Sequence, residues 1–118
     1  MLLAGDIGGT KTVLALFATE ARQQPLHPLH LQTFPSGRFA SLEAIITQFI
    51  ADKDVTIDAA CFGVAGPVVN GRSQITNLPW VIDSAVVRQM LHVERVALLN
   101  DLESIANAAQ TTAGNTTR

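Results

Sequence analysis

Apolar and polar positions follow three different rhythms along this chain, and each rhythm predicts a different kind of element. Two apolar runs, Leu2–Ala4 and Val13–Ala18, flank the glycine-rich segment Gly5-Asp6-Ile7-Gly8-Gly9-Thr10-Lys11-Thr12. Short β-type runs on both sides of a Gly-Gly pair predict a hairpin turning at Gly8-Gly9. Leu29-His30-Leu31-Gln32-Thr33-Phe34 alternates with period two and predicts a third strand. Pro28 and Pro35 stand at its margins, where a missing ladder donor is tolerated. From Ser41 the period lengthens: Leu42, Ile45, Ile46, Phe49 and Ile50 share one helical face. Ser41 is the candidate cap, and entry at Phe39 fits the pattern equally.

Thr56–Val64 is nearly continuous in apolar residues, as a strand buried on both faces should be. Gly66-Pro67 breaks it, and Asn70-Gly71 predicts a tight turn between Val68-Val69 and Ser73–Ile75. Asp83 is placed to cap a short helix with Val86, Val87, Met90 and Leu91 inward. Arg95–Leu99 is a further strand. Asn100-Asp101 then opens another helix, with Leu102, Ile105, Ala106 and Ala109 on its apolar face. The predicted order, β-β-β-α-β-(hairpin)-α-β-α, gives an α/β fold with a mixed β-sheet and helices on its faces. Gln110–Arg118 is polar and shows no core-facing pattern, so it is expected to be a frayed tail or the point where a longer chain was cut.

Composition narrows the function classes. With 47% hydrophobic and 15% charged residues, the 118-residue chain can bury the core of one domain. A net charge of -2 and a pI of about 5.8 argue against a nucleic-acid partner. The single cysteine, Cys61, excludes an internal disulfide framework and a Cys-rich zinc site. No apolar run approaches the ~20 residues of a membrane span, and the N-terminus lacks a basic leader region. No membrane partner and a cytoplasmic location are the expectations. His27, His30 and His92 share no metal-ligand spacing with Asp or Glu and are expected at the surface.

Three constellations carry candidate chemistry. In Gly5–Thr12, a P-loop would need Gly before Lys11, where Thr10 stands, and would lead into a helix. Val13–Phe17 reads instead as a strand. Two glycines can bring backbone N–H groups close to an anion, with the Thr10 hydroxyl and the Lys11 charge beside them. Asp6 suits a divalent cation that travels with phosphates. The alternative is a plain hairpin closure with Asp6 as a solvated turn residue. Second, Asn100-Asp101 follows a buried strand, at the carboxyl end where α/β sheets place ligands. A carboxylate there can accept a proton from a substrate hydroxyl, and Asp101 serves equally well as a helix cap. Third, Phe62-Gly63-Val64-Ala65-Gly66-Pro67 and Thr76-Asn77-Leu78-Pro79-Trp80 combine permissive glycines with an amide. That composition suits a sugar's hydroxyls; Trp80 is expected mainly to pack its loop down.

Taken in this order, Gly5–Thr10, Cys61–Val68, Asn77–Trp80 and Leu98-Leu99-Asn100-Asp101-Leu102-Glu103 resemble the N-terminal part of the bacterial glucokinases. These belong to the actin-like, ribonuclease-H-like sugar-kinase superfamily. The resemblance implies that residues 1–110 are the small lobe of a two-lobe kinase and that 111–118 are a polar tail or truncation point. It implies an enzyme moving the γ-phosphoryl group of ATP to the 6-hydroxyl of glucose, with Asp101 as general base. Asn100, Asp101, Asn77 and Gly66 would meet the sugar, and Asp6, Gly8, Gly9, Thr10 and Lys11 would meet ATP, with Asp6 on its Mg2+. Lys11 stands where the glucokinases proper often have Asn, and is more usual in a related repressor–kinase group. A non-catalytic sugar-sensing module of that group is the alternative function. The implied partners are glucose, ATP and a C-terminal lobe with no counterpart here. An apolar strip left by that lobe would let two copies pair as a homodimer, and the lobe alone is expected to be inactive.

Overall fold

In a computed structural model, residues 1–19 and 27–100 of the chain are described. Among them run strands β1 (Leu2–Ile7), β2 (Lys11–Phe17) and β3 (His30–Pro35), a 3-10 turn at Ser36–Arg38, and helix α1 (Leu42–Ile50). Then come β4 (Ala59–Val64), β5 (Arg72–Gln74), β6 (Val81–Asp83), helix α2 (Ser84–Leu91) and β7 (Arg95–Leu99). Five strands make one sheet in the order β3-β2-β1-β4-β7. The pairs β1/β2 and β2/β3 are antiparallel, while β1/β4 and β4/β7 are parallel. This is the expected ribonuclease-H-like mixed sheet. A separate two-stranded ribbon joins β5 to β6.

The core lies on one face of the sheet. Leu3 and Ile7, Leu14 and Leu16, Phe34, and Phe62 and Val64 alternate inward from four strands and join Leu42, Ile45, Ile46 and Phe49 of α1. Phe34 stands edge-on to Phe39 at 5.8 Å and to Phe49 at 6.0 Å between ring centroids, a favoured aromatic geometry. At Gly5 the inward position must stay empty. A Cβ there would lie 2.7 Å from Phe62 Cδ1 and 2.8 Å from Leu14 Cδ2, so the central strand carries two large neighbours over a missing side chain.

The helix starts follow their caps. Ser41, in extended backbone, accepts the Ala44 amide on its Oγ at 3.2 Å, which fixes entry at Ser41 rather than Phe39. Asp83 accepts the Ala85 amide at 2.9 Å and starts α2 as expected. The Asn70-Gly71 turn has φ of 54° and 74°, and Val69 and Arg72 exchange both backbone hydrogen bonds around it. The expected hairpin stops at that single bridge, because β5 pairs with β6 and not with Val68-Val69.

Three further details differ from the sequence expectation. The strand foreseen from Thr56 enters the ladder only at Ala59. Val86 is 48% exposed, because α2 turns Val87 to the core and its neighbour about 100° away. Strand β6 was not foreseen: three residues are too few to show alternation. The expected helix after Asn100, with Asp101, Leu102, Ile105, Ala106 and Ala109, and the tail 111–118, lie outside the described residues. No helix among the described residues is long and apolar enough to cross a membrane.

The second face of the sheet is apolar but only half covered by the described residues. Leu2, Ala4, Val13, Cys61 and Leu99 are half-buried there. Burial pushes the Cys61 thiol above its ordinary value. Because the folded state favours the neutral thiol, its stabilising effect is complete below the unfolded-state pKa and is lost as pH rises towards the folded one. Urea denaturation should therefore show stability declining above about pH 9, the group's ordinary value, with Cys61→Ala lacking that component of the decline. On the core side, Phe49→Ala should cost about 3–5 kcal/mol in the same assay, since it removes a fully buried ring.

Candidate functional site

Parallel pairing decides which loops meet. Ile7 lies opposite Val64, and Gly63 lies opposite Leu99. The chain therefore leaves β1 at Gly8, β4 at Ala65-Gly66 and β7 at Asn100 along one edge of the sheet, the carboxyl edge of three adjacent parallel strands. Loops at that edge are where α/β sheets hold ligands. All three sequence constellations send residues there. Asp101 is the next residue in the chain and lies outside the described residues.

The Gly8–Lys11 turn is tight. The Gly8 amide donates to the Lys11 carbonyl at 3.0 Å, and β2 starts at Lys11, so strand and not helix follows the turn. That geometry removes the P-loop reading, which needs a helix at this point. Thr10 and Lys11 are exposed, while Asp6, Gly8 and Gly9 are half-buried. Asp6 sits on the second sheet face, in register with Val13 and Gly63. Among the described residues the Gly9 and Thr10 amides have no hydrogen-bond acceptor. Backbone donors of this kind, beside a hydroxyl and an ammonium group, have the chemistry to receive an anion.

Gly9 also explains how the first and third constellations come together. A Cβ on it would lie 2.7 Å from the Thr76 carbonyl oxygen and 3.8 Å from Asn77 Cβ, so the turn rests directly on the Thr76–Trp80 loop. Asn77 adopts φ of 69°, a left-handed conformation that Asn tolerates better than most residues. The loop is stitched from within. Gln74 donates through Nε2 to the carbonyls of Leu78 at 3.2 Å and Trp80 at 2.8 Å. Trp80, 3% exposed, donates Nε1 to the Phe39 carbonyl at 3.2 Å, which is the packing role foreseen for it. Gly66 is less crowded: a Cβ would stand 3.7 Å from the Gln74 carbonyl and 3.9 Å from Ser73 Oγ. Ser73 Oγ is buried without a partner among the described residues. His27, His30 and His92 are exposed.

Sequence reasoning passed over two residues that shape this edge, Thr12 and Ser36. Both are 0% exposed. Ser36 Oγ donates to the Gly8 carbonyl at 2.7 Å and lies 2.8 Å from Thr12 Oγ1, and the Ser36 amide donates to the Thr10 carbonyl at 3.0 Å. The available signal was Thr12 itself, a polar residue at an inward strand position opposite Ile7.

The chain is similar to known proteins over most of its length. The sequence profile of the glucokinase family matches residues 3–117. A glucokinase of Nostoc punctiforme is 39% identical over 106 residues, covering 89% of this chain and 31% of that protein. One from Synechocystis is 36% identical over 112 residues, covering 87% and 32%. The chain thus spans about a third of the length of these relatives. The crystal structure of a glucokinase from an Antarctic psychrotroph superposes with a TM-score of 0.79 at 29% identity, covering 92% of this chain and 34% of its own. A ROK-family protein from Streptococcus pneumoniae, solved with sucrose, shares the fold at a TM-score of 0.64 and 16% identity over 92% and 37%. A family profile that matches residues 3–117, nearly the whole sequence, settles the kinship: the chain belongs to the glucokinase family.

Proposed function

We propose that residues 1–110 are the small lobe of an ATP-dependent hexose kinase that phosphorylates the 6-hydroxyl of glucose. The observation that carries this reading is the shared sheet edge, where the Gly8–Thr10 turn, Gly66 and Asn100 emerge from neighbouring parallel strands and Gly9 rests on the Asn77 loop. Phosphoryl transfer asks a protein mainly for positioning and charge placement, which such an edge can supply. The Gly9 and Thr10 amides, the Thr10 hydroxyl and Lys11 grip the ATP phosphates. Asn100, Asn77 and Gly66 approach the sugar. Asp101 takes the proton of the 6-hydroxyl as its oxygen bonds to the γ-phosphorus and the bond to the bridging oxygen of ADP breaks.

A magnesium ion arriving on ATP needs few protein ligands, because the phosphates and water supply most of its shell. Asp6, a lone half-buried carboxylate at the strand end, fits that demand. Among the described residues no cluster of three His, Cys, Asp or Glu side chains forms an independent metal centre. When bound, magnesium neutralises charge on the phosphate oxygens. The adenosine grip belongs to a second lobe, since the chain spans about a third of its relatives' length.

In the longer protein, Asp101→Asn should lower turnover by roughly two to four orders of magnitude while sugar binding stays largely intact. A coupled kinase assay beside sugar-binding calorimetry checks this, and near-normal turnover would leave Asp101 a helix cap only. Two glycine variants separate shape from ligand contact. Gly9→Ala meets a backbone carbonyl and should cost about 1–3 kcal/mol of stability. Gly66→Ala has room and should melt normally, so a raised KM for glucose in that variant reports ligand approach. The 118-residue chain by itself should show no useful glucose-dependent ATP consumption. Leu29 and Leu31, 54% and 64% exposed, are apolar surface among the described residues through which two copies should pair. Robust turnover by a monomer, seen by assay and sedimentation together, contradicts both expectations.

A further inference from the structure

We propose that the buried hydroxyls of Ser36 and Thr12 lock the Gly8–Gly9 peptide plane, so that the Gly9 N–H faces away from the core and towards a phosphate group. The proposal rests on the reading of the Gly8–Thr10 turn as the phosphate grip.

Ser36 and Thr12 are fully buried in a core that is otherwise almost wholly apolar. Hydroxyls in such a place are costly unless hydrogen-bonded. The bonds they make have a direction. Ser36 Oγ spends its one proton on the Gly8 carbonyl, 2.7 Å away, so it can only accept from Thr12 Oγ1 at 2.8 Å. The result is a chain of donors, Thr12 to Ser36 to Gly8, and each bond in such a chain polarises the next. The Ser36 amide holds the Thr10 carbonyl at 3.0 Å as well, so one residue grips the carbonyls on both sides of Gly9.

The consequence follows from the trans peptide. Its C=O and N–H point in opposite directions. A Gly8 carbonyl drawn inward to Ser36 therefore turns the Gly9 N–H outward, and that amide has no acceptor among the described residues. The need for a lock is equally physical. Both residues of this peptide are glycine, for which backbone regions closed to other residues are open, so little in the turn itself prevents the plane from flipping. A flipped plane would present the carbonyl dipole, negative end first, to an anion. Nothing about a hairpin as such requires a buried hydroxyl pair beneath it. Ser36 and Thr12 are positioning residues; neither is placed to touch the ligand.

The test uses the longer protein carrying this chain, with glycine labelled for amide relaxation-dispersion measurements. Ser36→Ala should raise KM for magnesium ATP by about tenfold, the worth of one hydrogen bond, and leave KM for glucose within about twofold. It should also add microsecond-to-millisecond exchange at the Gly9 amide, the signature of a flipping plane. Thr12→Val should move both readouts the same way and Thr12→Ser, which keeps the hydroxyl, should restore them. The Thr12 pair decides the matter where Ser36→Ala fails to fold. Unchanged Gly9 exchange, or both KM values shifting together with the melting temperature, overturns the lock. Wild-type protein without nucleotide-dependent activity instead overturns the phosphate reading, while Gly9 exchange still judges the lock.

Discussion

Strands β1 and β4 pair in parallel, with Ile7 opposite Val64, and the arrangement of the edge that carries the candidate site depends on that register. A slip of two residues would keep every side chain on its face and leave the core pattern intact. It would still carry Gly66 about two residues away from Gly8 along the strand direction, and the loops would no longer meet. Packing at Gly5 guards against it. Phe62 and Leu14 close over the one inward position of β1 that has no side chain, so sliding β4 would drive the Phe62 ring against Leu3 or Ile7.

Elements with long periodic signals were legible in the sequence. Leu42, Ile45, Ile46 and Phe49 give α1 its face, and Ser41 and Asp83 cap helices as their side-chain chemistry demands. Asn70-Gly71 turns where its permissive backbone conformations predict. What escaped depends on partners distant in the chain. Strand β6 exists because β5 pairs with it, and Thr56 stays outside β4 because the ladder starts three residues later, at Ala59 opposite Leu2.

The candidate site divides in the same way. Gly8, Gly9, Gly66, Asn77 and Asn100 stood out as local motifs at strand ends. Their meeting did not, because it is a property of register and of the contact between Gly9 and Thr76. Ser36 was invisible for another reason. A serine after a strand reads as an ordinary turn residue until Thr12 and the Gly8 carbonyl are found beside it in the interior.

Gly9 and Thr76 meet backbone to carbonyl, with no side chain between the hairpin turn and the Asn77 loop. Such a joint has no knob for single substitutions to adjust. Trimming is impossible where nothing protrudes, and adding even a methyl group collides with main chain. Divergence of the two loops must therefore go around the joint, through loop length or through residues such as Gln74 that brace it from behind. One surface is thereby kept out of reach of gradual retuning, and the two halves of the edge are tied to change together or not at all.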